Sequence, residues 1–136
     1  MSNREWESEP NRRAWIAHGL ECRIVRQDNL KHLCGYVGVP AGHPAFKQDY
    51  DSVEIIDPEY CPHGGLTYGS DHAPHEKPDG RWWLGFDCAH LGDLVPGIST
   101  DRNNPENHYR NMAYVEAETE KLAEQLSLAA AKGEAP

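Results

Sequence analysis

The sequence predicts an α+β fold: a mainly antiparallel sheet of four or five strands, with a long C-terminal helix packed on one face. Two observations lead to this prediction. Short segments in the first ninety residues alternate apolar and polar side chains, as half-buried strands do. Residues from about 105 to 131 instead repeat apolar side chains at steps of three and four, as an amphipathic helix does.

The chain length of 136 residues suits one domain with one core. Residues 1–12 are polar, contain Pro10 and carry mixed charge, so we predict a flexible N-terminal arm. The predicted α+β domain spans residues 13–131. Residues 132–136 are predicted to be a flexible tail.

A β-hairpin is predicted between residues 19 and 39. Residues 19–26 place Leu20, Cys22 and Ile24 on one face of a strand. Residues 27–29 form a turn, and residues 32–39 form the second strand. That strand contains two glycines, which weaken a strand unless something must approach its backbone closely.

Two further strands are predicted at residues 66–68 and 81–89, and a weaker one at 52–56. The loop between the first two, residues 69–80, is long and polar. Such a loop inside a small domain is often functional or mobile, and we expect this one to be exposed.

The final helix is the most clearly patterned element. Pro105 suits the first helical position, with Asn104 as the N-cap. One apolar stripe is expected to cover the sheet, formed by Met112, Val115, Thr119, Leu122, Leu126 and Ala129.

Composition excludes some functions. The formal net charge of −9 disfavours direct nucleic-acid binding, which needs a basic surface. Without a secretory signal or an apolar run long enough for a membrane span, we expect no membrane association. The four cysteines form no CxxC pair, so we expect reduced thiols rather than a redox motif.

The residues best suited to chemistry lie at predicted strand ends. Asp87, His90 and Asp93 follow one strand, and His63 precedes two glycines that allow close backbone approach. Together, His63, Asp87, His90 and Asp93 could bind a divalent metal such as zinc, or could act as acid and base. Alternatively, the aspartates cap turns and the histidines pair with them.

Cysteine offers a second metal hypothesis. Cys61 and His63, like Cys88 and His90, are two residues apart and can point the same way from a strand. The two pairs could supply Cys₂His₂ zinc ligands. Alternatively, Cys88 is a buried core thiol.

Aromatic residues extend the candidate site. Trp83 shares a predicted strand face with Asp87, and Trp83 with Tyr68 could stack a planar ring. The alternative for either ring is packing under the C-terminal helix. The full set of candidate ligand-binding residues is His63, Thr67, Tyr68, Trp83, Asp87, His90 and Asp93. The chain has no GxSxG, P-loop, HExxH or GxGxxG motif.

Three segments carry a resemblance to a known group of proteins: GYVGVP from Gly35, HGGLTY from His63, and WWLGFDCAHLGD from Trp82. The chain resembles a family of small uncharacterised proteins encoded by bacteriophages and prophages, over most of residues 20–126. The resemblance implies a phage origin and a location in the host cytoplasm, but no reaction or cofactor. Cys61 departs from the family pattern, which weakens the Cys₂His₂ hypothesis.

Three functions remain as hypotheses. The first is a phage accessory protein that binds a small polar or phosphorylated ligand, or a host protein, and so modulates the host or its defence. The second is a metal-dependent hydrolase that uses the His/Asp group. The third is an acidic DNA mimic that inhibits a host protein through its charge.

Overall fold

A computed structural model describes residues 8–28, 31–50, 66–87 and 110–133. The strands and the helix within these ranges are β1 (Arg12–Ala17), β2 (Leu20–Arg26), β3 (Leu33–Val39), β4 (Tyr68–Ser70), β5 (Trp82–Asp87) and α1 (Met112–Gly133). The strands form one five-stranded sheet in the order β1-β2-β3-β5-β4, and each neighbouring pair is antiparallel.

This architecture confirms the predicted α+β fold. The predicted hairpin is the β2–β3 pair, in which Cys34 lies opposite Val25. The other two clear strand predictions correspond to β4 and β5, although β4 (Tyr68–Ser70) overlaps the predicted strand 66–68 only at Tyr68 and extends into the predicted loop. The weaker strand prediction at 52–56 lies outside the described residues.

Strand β1 does not appear among the predicted strands. It begins at Arg12 and forms a hairpin with β2 through His18 and Gly19, whose φ angles are 52° and 78°. Positive φ at both turn positions is the geometry that matches the right-handed twist of two-residue hairpins. The strand is hard to recognise because both its faces carry apolar residues, with Trp15 against the core and Ile16 66% exposed.

The sheet has two differently covered faces. On the helix face, Trp82, Leu84 and Phe86 of β5 pack with β2, β3 and α1 in the main core. On the opposite face, which we call the open face, Trp83 lies in a smaller cluster with Tyr36. The alternation of β5 therefore confirms the predicted separation of its side chains between the two faces.

Helix α1 begins at Met112, because Asn111 caps it: the Asn111 side-chain oxygen accepts a hydrogen bond from the backbone N–H of Tyr114 (2.8 Å). The predicted start near Pro105 lies outside the described residues. The predicted stripe is confirmed, since its first five members are buried. No helix within the described ranges combines the length and apolarity needed to cross a membrane.

Gly35 explains how α1 comes so close to the sheet. A Cβ at this position would lie 2.3 Å from the Thr119 hydroxyl oxygen and 2.7 Å from the Phe86 ring. Only glycine therefore fits between the helix and β3. The Thr119 hydroxyl donates to the Val115 carbonyl oxygen (2.7 Å), so it is satisfied within the helix.

His43 fixes the connection after β3 to the helix. Its Nδ1 accepts the backbone N–H of Ala45 (2.9 Å), and its Nε2 lies 2.7 Å from the Leu126 carbonyl oxygen. Since Nδ1 is an acceptor, Nε2 carries the proton and donates it to Leu126. This buried histidine therefore has a structural role.

We predict that Gly35→Ala lowers the free energy of unfolding by about 1–3 kcal/mol, because overpacking forces the helix and sheet apart. Gly42→Ala is the control, since a Cβ added to Gly42 would have no other atom within 4 Å. Urea unfolding measures both. Equal stability of the two variants would contradict the close approach of α1 to β3.

Candidate ligand-binding site

Much of the predicted His/Asp group lies outside the described residues, namely His63, His90 and Asp93, together with Cys61 and Cys88. Within the described ranges, no three or more His, Cys, Asp or Glu side chains are grouped so that they could hold a metal ion. The metal-binding role of these residues therefore remains a prediction.

Thr67 and Tyr68 are held at the edge of the sheet. The backbone N–H of Thr67 donates to the Gly85 carbonyl oxygen (2.8 Å). The Tyr68 ring meets the Tyr36 ring edge-on, with centroids 4.9 Å apart, and its hydroxyl donates to the His72 carbonyl oxygen (2.6 Å). Tyr68 is thus packed against protein groups on two sides.

Trp83 is fully buried on the open face. A Cβ on Gly38 would lie 2.8 Å from its ring, and the Arg23 guanidinium lies 5.1 Å from the ring centroid. Its indole N–H donates to a carboxylate oxygen of Asp79 (3.2 Å). In this structure the indole packs inside the protein, and a planar ligand would have to displace these groups to stack on it.

Asp87 lies at the half-buried end of β5, on the open face. Strand pairing places it in one row with Cys34, Val25 and Arg12. At roughly 4.8 Å per strand, the row from Asp87 to Arg12 spans about 14 Å. The candidate aspartate therefore shares a face, but not a pocket, with the cationic residues described below.

The cysteines within the described residues, Cys22 and Cys34, are buried thiols and form no disulfide. Burial on the helix face raises the pKa of Cys22 to about 11. On the open face, burial raises the pKa of Tyr36 well above its usual range, and the neighbouring Cys34 thiol adds to the effect. Both groups are therefore uncharged at neutral pH.

The loop between β4 and β5 covers the open face. Ala73 is buried in the cluster around Trp83, Glu76 accepts from Arg23 (3.0 Å), and Asp79 accepts from Trp83. The sequence predicts an exposed loop, and residues 75–80 of this loop are exposed. The buried Ala73 and the two polar contacts nevertheless hold it against the sheet.

A cavity of about 570 Å³ lies beside this loop. It lies between the N-terminal segment, the end of β2, the β2–β3 connection and the loop. Its lining is mostly polar: Glu9, Asn11, Arg12, Val25, Arg26, Gln27, Asp28, Lys31 and His75. We call it the Arg12 pocket.

Arg26 holds the walls of the Arg12 pocket together. Its guanidinium donates to the Asn11 side chain (3.0 Å), to the Lys31 carbonyl oxygen (2.8 Å) and to Glu9 (3.3 Å). Glu9 also accepts the backbone N–H of Met112 (2.7 Å) at the start of α1. Because these bonds occupy its guanidinium, Arg26 stabilises the walls of the pocket. Binding of a ligand then depends on the other cations that line it.

Arg12 and Lys31 are the cations available to a ligand. Both residues line the pocket, both are exposed, and neither side chain has a hydrogen bond or ion pair with a described residue. Two cations without a described carboxylate partner are unexpected in a chain with net charge −9. This side of the pocket can therefore attract an anion.

The backbone around the pocket is strained. Lys31 and His75 have φ angles of 67° and 66°, in the left-handed region that non-glycine residues seldom adopt. They are two of the four described non-glycine residues with positive φ. Strain of this kind, which costs about 1–3 kcal/mol per residue, clusters at binding sites.

The Arg12 pocket is absent from the sequence-based predictions. The sequence predicts residues 1–12 as a flexible arm and residues 27–29 as a turn. Its overall acidic charge gives no sign of a local cationic site. One available signal is the local basic bias of Arg12, Arg13, Arg23, Arg26 and Lys31. Their convergence depends on the β1–β2 pairing, which the sequence does not reveal.

Comparisons of the chain with known protein families, with curated proteins and with solved structures find no match.

Asp79 gives the loop a pH-dependent contact. Partial burial raises its pKa, but hydrogen bonds from the Trp83 indole, the Arg81 backbone and the Arg81 guanidinium outweigh burial and lower the pKa overall. A lowered folded-state pKa stabilises the protein above the ordinary aspartate pKa of about 3.9. This stabilisation is lost as the pH falls through the folded-state value.

We predict that Asp79→Asn lowers the free energy of unfolding at pH 7 by up to about 1 kcal/mol, since solvent screens the exposed carboxylate. The difference from the wild type should shrink as the pH is lowered from 7 to 3 in urea-unfolding experiments. Asp49→Asn, at another exposed aspartate, is the control. A difference that stays constant over this pH range would contradict the stabilising role of the Asp79 charge.

Proposed function

We propose that this protein captures a small phosphorylated, or otherwise anionic, ligand in the Arg12 pocket. The observation that carries the proposal is that Arg12 and Lys31 line a cavity of about 570 Å³ without a described acidic partner. A cavity of this volume is within the usual range for small-molecule sites. The proposal agrees with the first hypothesis from the sequence, but it uses different residues.

The pocket wall supports binding with little rearrangement. Arg26 and Glu9 tie three parts of the chain together, and their side chains are only 5% and 15% exposed. A preorganised wall reduces the entropy lost when a ligand is bound. Arg12 can offer two parallel N–H groups to a phosphate, whereas Lys31 supplies a point charge.

The biological setting is part of the proposal. The resemblance to phage and prophage proteins supports a phage-encoded accessory protein that acts in the host cytoplasm. Sequestering a small anionic ligand would let such a protein modulate the host without catalysing a reaction. Capture of a host protein remains the alternative within this hypothesis.

The acidic DNA mimic receives less support. Three glutamates of α1 have partners within the chain: Glu116 pairs with Arg13 (3.1 Å), Glu118 with Lys121 (3.5 Å), and Glu120 accepts from the Trp15 indole (2.9 Å). These contacts reduce the carboxylate charge that could imitate DNA phosphates. The hydrolase hypothesis depends mainly on residues outside the described ranges.

Isothermal titration calorimetry with inorganic phosphate at low ionic strength tests the proposal. Arg12→Gln and Lys31→Gln should each weaken binding about tenfold, because each removes one charge-assisted contact worth about 1.4 kcal/mol. Binding should also weaken as salt is added, since salt screens exposed charges.

Lys47→Gln is the matched control for Lys31→Gln. Both lysines are exposed, and both have positive φ, 64° for Lys47 and 67° for Lys31. The two substitutions therefore remove the same charge from similar backbone conformations. Wild-type binding by the two pocket variants, or an equal loss in Lys47→Gln, would contradict the proposal.

A further inference from the structure

A second cavity adjoins the Arg12 pocket. Its volume is about 240 Å³, and it lies over β1 and β2. Arg12 and Val25 line both cavities, so the two meet at these residues. The other lining residues of the second cavity are Arg13, Ala14, Arg23, Ile24 and Glu76.

Strand pairing makes the backbones of two cationic residues close neighbours on the open face. Arg12 lies opposite Val25, and Ala14 lies opposite Arg23. Arg12 and Arg23 are therefore diagonal neighbours on the open face, which places their backbones about 7–8 Å apart. Arg12 serves the first cavity, and Arg23 borders only the second.

The charged residues that line the two cavities favour the binding of more than one anionic group. Together they are lined by five cationic residues, Arg12, Arg13, Arg23, Arg26 and Lys31, and by three acidic ones, Glu9, Asp28 and Glu76. Because Arg13 pairs with Glu116 of α1 (3.1 Å) and Arg26 with Glu9 (3.3 Å), the cations left for a ligand are Arg12, Arg23 and Lys31. The excess of positive charge is local, because the whole chain has net charge −9. A ligand with two separated anionic groups would complement this arrangement.

Glu76 occupies the place that the second anion would take. Its carboxylate lies 3.0 Å from Nε of Arg23, and its side chain is 36% exposed on the loop. The Arg23 side chain is only 17% exposed, and it also pairs with Glu21 (3.4 Å), whose side chain is 25% exposed and holds it in position. An incoming phosphate could displace the more exposed Glu76 and keep Arg23 paired.

We infer that the ligand carries two separate anionic groups, one bound by Arg12 and Lys31 and the other by Arg23 in exchange for Glu76. This inference rests on the proposed capture of an anion in the Arg12 pocket. It narrows the ligand class from compounds with one anionic group to bisphosphates or similar compounds with two anionic groups.

The test compares glucose 6-phosphate with glucose 1,6-bisphosphate by isothermal titration calorimetry, with inorganic phosphate titrated in parallel. The wild type should bind the bisphosphate at least about tenfold more tightly than the monophosphate. Glu76→Gln should tighten bisphosphate binding by about fivefold, since Arg23 no longer has to exchange a carboxylate partner. Its affinity for the monophosphate should stay within about twofold of the wild type.

Glu124→Gln, on the exposed surface of α1, changes the net charge equally and is the control. Equal tightening by Glu76→Gln and Glu124→Gln would overturn the inference, because net charge alone would then explain the effect. Equal affinity for the two sugar phosphates would also overturn it while leaving capture of a single anion intact. Failure of all three compounds to bind would overturn the proposed function as well.

Discussion

Burial of strand β3 is the constraint on which the rest of the structure depends. All seven of its residues are buried, so the centre of the sheet must be covered on both faces. Helix α1 covers one face, and Gly35 permits its close approach. The β4–β5 loop covers part of the other face, where Asp79 and Glu76 contact Trp83 and Arg23. A small α+β domain thereby shields both faces of its central strand with little additional structure.

The same covering loop shapes the proposed site. Because the loop is held against the open face, His75 comes to the rim of the Arg12 pocket, where its Nε2 lies 3.8 Å from a carboxylate oxygen of Asp28. Arg26 then connects the N-terminal segment to the β2–β3 connection. The pocket is thus a consequence of how the sheet edge is closed, and Arg12 and Lys31 remain as its available cations.

The fold is largely predictable because the spacing of apolar side chains along the sequence indicates which face of a strand or helix is buried. The stripe on α1 and the alternation of Trp82, Trp83 and Leu84 each reflect which face a residue covers. Strand β1 escapes prediction because Ile16 is exposed although apolar, which obscures the alternation. The pocket is not predictable in this way, since Arg12 and Lys31 are brought together by strand pairing, which single-residue patterns do not encode.

The most direct test of the anion pocket is a titration of ¹⁵N-labelled protein with inorganic phosphate, followed by two-dimensional ¹H–¹⁵N NMR. We predict that the largest, saturable shift changes occur at the amides of Arg12, Lys31 and His75, while the amides in the middle of α1 remain unchanged. Saturable changes centred on α1, or no saturable change at the three pocket residues, would contradict anion capture in the Arg12 pocket.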